Sequence, residues 1–334
     1  MIVEETNDLL RSKLRGIKFS PLNPPKGDFN TLPFAFLAPL RGDGGLPHRE
    51  RESQIQLRSK HRGIQGQKFQ ERQEHSFSMN SETLHHIQTW FTRYVNGFPE
   101  DTLSFESMIN IKVVHSRIVE EICRSLAEEL GWSREDIVTA SALGLLHDAG
   151  RFSQFTEYGT FSDADSVDHG RRGYEVVKES GILSRCSETV QNKILEGILF
   201  HNLRTIPPGV LPDSLPFVKL IRDGDKLDIY RIIRERIENN QLGDHLKEAL
   251  FIRAEGPANP LAIGEIWNRE TVSNENLFSM ADFTLMQMSW VFDINYPPTL
   301  RRIRESGILN ILACALPDEK EAKEAADFIL KQAG

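Results

Sequence analysis

Residues 143–155 read LGLLHDAGRFSQF, an apolar, helix-like run that ends abruptly in His147 and Asp148. An imidazole and a carboxylate thus stand side by side where a helix enters the core, and a carboxylate is costly there unless it is paired or bound to metal. Upstream, Ser133 with Asp136 three residues on has the form of a capping box, and it opens a helix that runs through IVTASALGLLHD. Before it lies SMINIKVVHSRIVEEICRSLAEELGW, where Ile111, Val114, Ile118, Ile122, Leu126 and Leu130 mark one face of a helix that ends at Gly131. Further helices are predicted in MNSETLHHIQTWFTRYV, DSVDHGRRGYEVVKE, SETVQNKILEGILFHN with Ser187 as cap, LPFVKLIRDGDKLDIYRIIRERIEN and DEKEAKEAADFILKQ. Strand-like alternation is nearly absent, so the fold class is all-α, a compact bundle without internal repeats.

The 334 residues are 39% hydrophobic, enough to bury a substantial core. A formal charge of -8 argues against polymeric nucleic acid or an anionic membrane as the main partner. No uninterrupted apolar run is long enough to span a bilayer, and MIVEETNDLLRSKLRG lacks the basic-then-apolar order of a secretory signal, so the expected location is cytoplasmic. Cys123, Cys186 and Cys314 are odd in number, far apart and without CxxC spacing, and read as buried, reduced thiols. Residues 1–78 hold 13 Lys and Arg against 9 Asp and Glu, whereas residues 79–334 hold 27 against 39. The first part contains SPLNPPKGDFN and APLRGDGGLPHRERES and has no sustained period, which predicts a poorly ordered N-terminal extension before a helical part from Met79.

Several polar residues fall on apolar faces. His115 has Ile111 four before it and Ile118 three after it; His201 has Ile198 and Ile194 three and seven before it. Asp225 is flanked by Val218, Ile221, Ile229 and Ile232, and His147 lies on the inward side of its helix with Asp148 about 100° around the turn. One such histidine is ordinarily a hydrogen-bonded core residue. Five inward groups on four helices, His115, His147, Asp148, His201 and Asp225, are most simply neutralised by a divalent cation.

The order His115, then His147-Asp148, then Asp225 in RDGDKLD resembles the HD superfamily of metal-dependent phosphohydrolases, over roughly residues 108–235, with LLHDAGRF, SVDHG and ILFHN adding detail. The resemblance implies that His115, His147, Asp148 and Asp225 hold a first metal, with Asp148 bridging, and that His169 and His201 hold a second. His169 stands apart, near a helix start and off any apolar face. Asp223 and Asp228 compete with Asp225 for the last ligand position; Asp228 is either an acceptor orienting a ligand histidine or a surface acid.

By the same resemblance the chain is a phosphohydrolase acting on a phosphomonoester or phosphodiester of a small metabolite or nucleotide, through water activated by one or two ions of Mn, Fe, Ni, Co, Zn or Mg. Arg151 matches the position where such hydrolases often carry Lys or Arg and is the expected catalytic and substrate-binding cation beside Asp148. Lys226 is a second substrate-binding candidate, with Arg171 and Arg172 behind it. Asp163 and Asp165 serve either proton transfer or capping, with capping favoured for Asp165. Asp293 and Tyr296 are placed to reach the pocket, although YPP reads first as a helix break. The same ligand pattern resembles the HD-type di-iron oxygenases, and a non-catalytic ligand-binding HD module is a third possibility. Dependence on dioxygen separates the first two.

Overall fold

The computed structural model describes residues 79–98, 103–238 and 256–334; the extension expected over residues 1–78 lies outside the described residues. The element that contains the quoted run lies deep in the bundle. Helix α3 (Arg134–Leu146) follows α1 (Ser81–Val95) and α2 (Leu103–Glu129), and every residue from Thr139 to Phe152 is buried. It packs against α1, α2, α6 (Glu188–Phe200) and α7 (Leu215–Glu238), so beyond its exposed first turn it has no solvent face. Ser133 begins it as foreseen, accepting the Asp136 N–H. His147 closes it, and Asp148 (φ -99°, ψ 16°) breaks the path before α4 (Ala149–Tyr158) resumes.

Small residues permit this enclosure. A Cβ on Gly144 would lie 2.6 Å from the Val119 carbonyl oxygen on α2. One on Gly150 would lie 2.3 Å from the His169 carbonyl oxygen and 2.5 Å from the Gly173 nitrogen on α5 (His169–Ser180). Gly150→Ala is therefore expected to push α4 off α5, at a cost of about 1–3 kcal/mol, readable in the denaturant midpoint.

The face expected on α2 is rotated. Val114 is 44% exposed and Ile111, Ile118 and Ile122 are half-buried, while the buried line runs through Met108, Lys112, His115, Ser116, Val119, Glu120 and Cys123. Three polar residues of that line are made tolerable by partners or by their small size: Lys112 reaches Asp148, Glu120 accepts from Gln88 at 2.6 Å, and Ser116 is small. Periodicity counts such residues as solvent-facing, and tertiary pairing overrides it.

Helix α1 covers the α3–α4 junction with aromatic rings, Phe91 and Tyr94 packing on Phe152, and the Tyr94 hydroxyl donates to the Ala149 carbonyl at 3.0 Å. The C-terminal part adds α8 (Pro260–Trp267), α9 (Met280–Ser289), a 3-10 turn (Trp290–Asp293), α10 (Pro297–Ser306), α11 (Ile308–Ala315) and α12 (Lys320–Ala333). Helices α10 and α11 pack on α7. The Tyr296-Pro-Pro segment opens a helix rather than breaking one, since the preceding turn ends at Asp293 and extended Tyr296 stands before Pro297 at the first helical position. Asp168, not Asp165, caps α5 by accepting the Arg171 N–H. Cys123 and Cys186 are buried as expected, but Cys314 is exposed. The described residues contain no β-strand, and no helix among them is long and apolar enough to cross a membrane.

Candidate metal centre

Six side chains converge at the broken junction between α3 and α4. His115 comes from the middle of α2, His147 and Asp148 from the junction, His169 from the first turn of α5, His201 from the end of α6 and Asp225 from α7. All are buried. His115 Nε2 lies 3.1 Å from His147 Nε2 and 3.1 Å from Asp225 Oδ1, and both imidazole Nε2 atoms lie 3.6 Å from Asp148 Oδ2. On the other side, His169 Nε2 and His201 Nε2 are 3.1 Å apart and stand 3.6 and 3.7 Å from Asp148 Oδ1. Asp148 therefore turns one oxygen to each cluster. The clusters are contiguous, because His147, His201 and Asp225 also bring ligand atoms within 4.8 Å of one another.

Every imidazole spends its other nitrogen. His115 Nδ1 donates to Asp228 Oδ2 and His169 Nδ1 to Asp163 Oδ2, each at 2.6 Å; His147 and His201 donate from Nδ1 to the Gly144 and Ile198 carbonyls at 2.7 Å. This tautomer leaves each neutral ring with its Nε2 lone pair aimed inward, facing other lone pairs and carboxylate oxygens. Such a set repels itself unless a cation or a proton sits within it. Ligands about 2.1 Å from one ion stand roughly 3.0 to 3.4 Å apart in octahedral or tetrahedral arrangement, close to the observed spacings, so the donor set fits divalent ions.

Without a metal ion, a proton takes part of that place. Burial disfavours a charged His115, but hydrogen bonds to Asp225 and Asp228 outweigh it and push its pKa up to about 9. His169 goes the other way, lowered by burial and by nearby Arg151. Burial raises Asp148 and Asp225, yet Lys112 and His147 for the first, and His115 and His147 for the second, hold both carboxyls well below their usual range. Below about pH 9, cation uptake at His115 must displace a proton, so apparent affinity is expected to rise with pH. Calorimetry in two buffers of different ionisation heat checks this: a buffer-independent heat would contradict it.

Around the ligands, Asp228 takes the orienting role foreseen as one option for it, bound also by Arg231 Nε at 2.6 Å. Asp163 does the same for His169 and also accepts from Arg151, Gln154 and Asn202. Asp223 turns away and accepts the backbone N–H groups of Asn295 and Tyr296. Arg151 is buried beside Asp148. Its Nη1 donates to Gln154, to the Phe161 carbonyl and to Asp163, while Nε is buried without a hydrogen-bond partner and ion-pairs with Asp148 Oδ1 at 3.7 Å.

Lys226 is not brought to the cluster: its ammonium contacts Asp293 and the Arg222 carbonyl. Arg171 and Arg172 make ion pairs with Glu175 and Glu157. The Tyr296 hydroxyl donates to the Pro216 carbonyl. Lys112 is an addition to the set, buried with Nζ 2.7 Å from Asp148 Oδ2. Its signal was a lysine three residues before His115 on one helical face.

An all-α bundle in which several helices bring histidines and aspartates into one buried cluster offers donor groups that could hold a metal ion. Residues 113–241 match the family model of the HD domain, a span that contains all six ligands. Over that part the chain is similar to the HD domain, whose superfamily is one of metal-dependent hydrolases. No curated protein and no solved structure matches it.

Proposed function

We propose that the protein is a dinuclear phosphohydrolase that cleaves a phosphoester of a small metabolite or nucleotide in the cytoplasm, with neither polymeric nucleic acid nor membrane as partner. The observation that carries this is the division of Asp148 between two donor clusters, with Arg151 Nε beside it lacking a hydrogen-bond partner. Two divalent ions, when bound, supply acidification of a water and neutralise charge on the phosphoryl oxygens. His115, His147, Asp148 and Asp225 would hold one ion, and His169, His201 and Asp148 the other.

The chain's own groups do the rest. Arg151, gripped through Nη1 by Asp163 and Gln154, presents a fixed guanidinium edge for bidentate recognition of a phosphoryl group. Lys112 fixes the Asp148 carboxylate, so that its oxygens need no reorganisation when substrate arrives. Burial of the cluster excludes bulk water, which strengthens each of these interactions.

The test is release of inorganic phosphate from a panel of phosphomonoesters, phosphodiesters and nucleotides by full-length protein reconstituted with Mn2+, run with and without dioxygen. Phosphate release indifferent to dioxygen is expected. Turnover that requires dioxygen would replace this function by the oxygenase alternative, and metal binding without turnover would leave a binding module.

A further inference from the structure

Arg222 lies on α7 three residues before Asp225, with its side chain 1% exposed. Its Nη1 donates to the carbonyls of Phe200 at 3.3 Å, of His201 at 3.1 Å and of Leu203. Its Nη2 donates to the Arg204 carbonyl at 3.1 Å and to Asp293 Oδ2 at 2.6 Å. These carbonyls belong to the end of α6 and the turn beyond it, where no intrahelical donor is left. A cation at that terminus is also favoured by the helix dipole. The turn it grips presents His201, and His201 Nδ1 is tied to Ile198 of the same helical end, so the imidazole follows the backbone that Arg222 holds.

The counter-charge comes from beyond the family-model match. Asp293, at the end of the 3-10 turn, accepts from Arg222 and, at 2.6 Å, from Lys226, the residue after ligand Asp225. Among the described residues it is the one carboxylate paired with either cation. Burial works against its ionised form, yet Lys226 and Arg222 hold its carboxyl below the usual range.

We infer that Asp293 is a positioning residue for the metal centre, holding the Phe200–Arg204 turn through Arg222 and thereby aiming His201, so that the C-terminal helices support the second cation subsite. The inference rests on the dinuclear reading proposed above. Asp293→Asn would remove the carboxylate ion-paired with both buried cations, and their repulsion would draw Arg222 off the α6 carbonyls.

The control is Asp223→Asn. Asp223 sits on the same helix and fastens the same C-terminal segment through Asn295 and Tyr296, but makes no contact with the end of α6. Chelator-treated full-length protein is titrated with Mn2+ alone, by calorimetry and by the electron paramagnetic resonance signal of spin-coupled ions, with the melting temperature recorded for each variant. Wild type and Asp223→Asn are expected to bind two ions with coupled signals, the variant melting lower. Asp293→Asn is expected to keep one and to bind the second about 10- to 100-fold more weakly, with the coupling lost. Arg222→Lys keeps the charge opposite Asp293 but lacks the fork that spans the carbonyls, and is expected to weaken the same ion even if Asp293→Asn does not fold.

Two tight ions in Arg222→Lys and in any folded Asp293→Asn, or equal loss in Asp223→Asn, would overturn the inference and leave the dinuclear centre standing. Fewer than two ions in wild type would overturn the dinuclear reading and this inference with it.

Discussion

Asp148→Ala is expected to lose both cations together and to lower phosphate release by at least about a thousandfold. The two clusters share this one side chain: Oδ2 faces His115 and His147, and Oδ1 faces His169 and His201. Its removal leaves the second cluster with two imidazoles and no carboxylate. It also removes the carboxylate 2.7 Å from buried Lys112, whose pKa burial already lowers while Asp148 draws it back up. Breaking a buried ion pair adds about 3–5 kcal/mol of destabilisation. Metal content by mass spectrometry, read beside phosphate release and a far-ultraviolet spectrum, checks the result. Turnover in a folded Asp148→Ala protein would remove the proposed site, and single loss of one ion would show that Asp148 does not bridge.

Arg151→Lys is expected to keep both metals and the fold but to lower kcat/KM by about 10²–10³. Charge is conserved in this exchange; the planar fork is not. Nη1 of Arg151 is already committed to Gln154, the Phe161 carbonyl and Asp163, which holds the plane of the group while Nε faces the cluster beside Asp148. A lysine ammonium satisfies either Asp163 or a phosphoryl oxygen, not both in fixed geometry. Metal stoichiometry separates the outcomes. Unchanged kcat/KM would show that Arg151 only braces Asp163, and lost metal would show that its work is on His169 through Asp163.

The parts of the site legible in the sequence were those where cost leaves a local mark. His201 stands in line with Ile194 and Ile198, and Asp225 with Val218, Ile221 and Ile229; all five apolar neighbours are buried. His115 was recognised on its helix although the apolar face drawn around it was turned, because Lys112 and Glu120 occupy the true buried line in partnered form. His169 left no such mark, since it opens α5 and is buried by the loop and by Asn202 rather than by its own helix. It came from family resemblance, and in the structure its Nε2 lies 3.1 Å from His201 Nε2.

The sequence by itself determined the all-α class, the helix that carries the His-Asp pair, and the kinds of donor that each helix contributes. Those properties arise from periodicity and desolvation, which act between residues a few places apart and are written along the chain. Tertiary structure alone decided which atoms meet: that Asp148 faces two clusters, that Asp163 rather than Asp165 turns toward His169, and that Lys226 contacts Asp293. These pairings join residues far apart in sequence, 71 positions in the case of Arg222 and Asp293. An ion pair of that span imposes no period on either segment. It becomes visible only when packed helices bring the two charges into one low-dielectric space, where each is tolerable because the other is there.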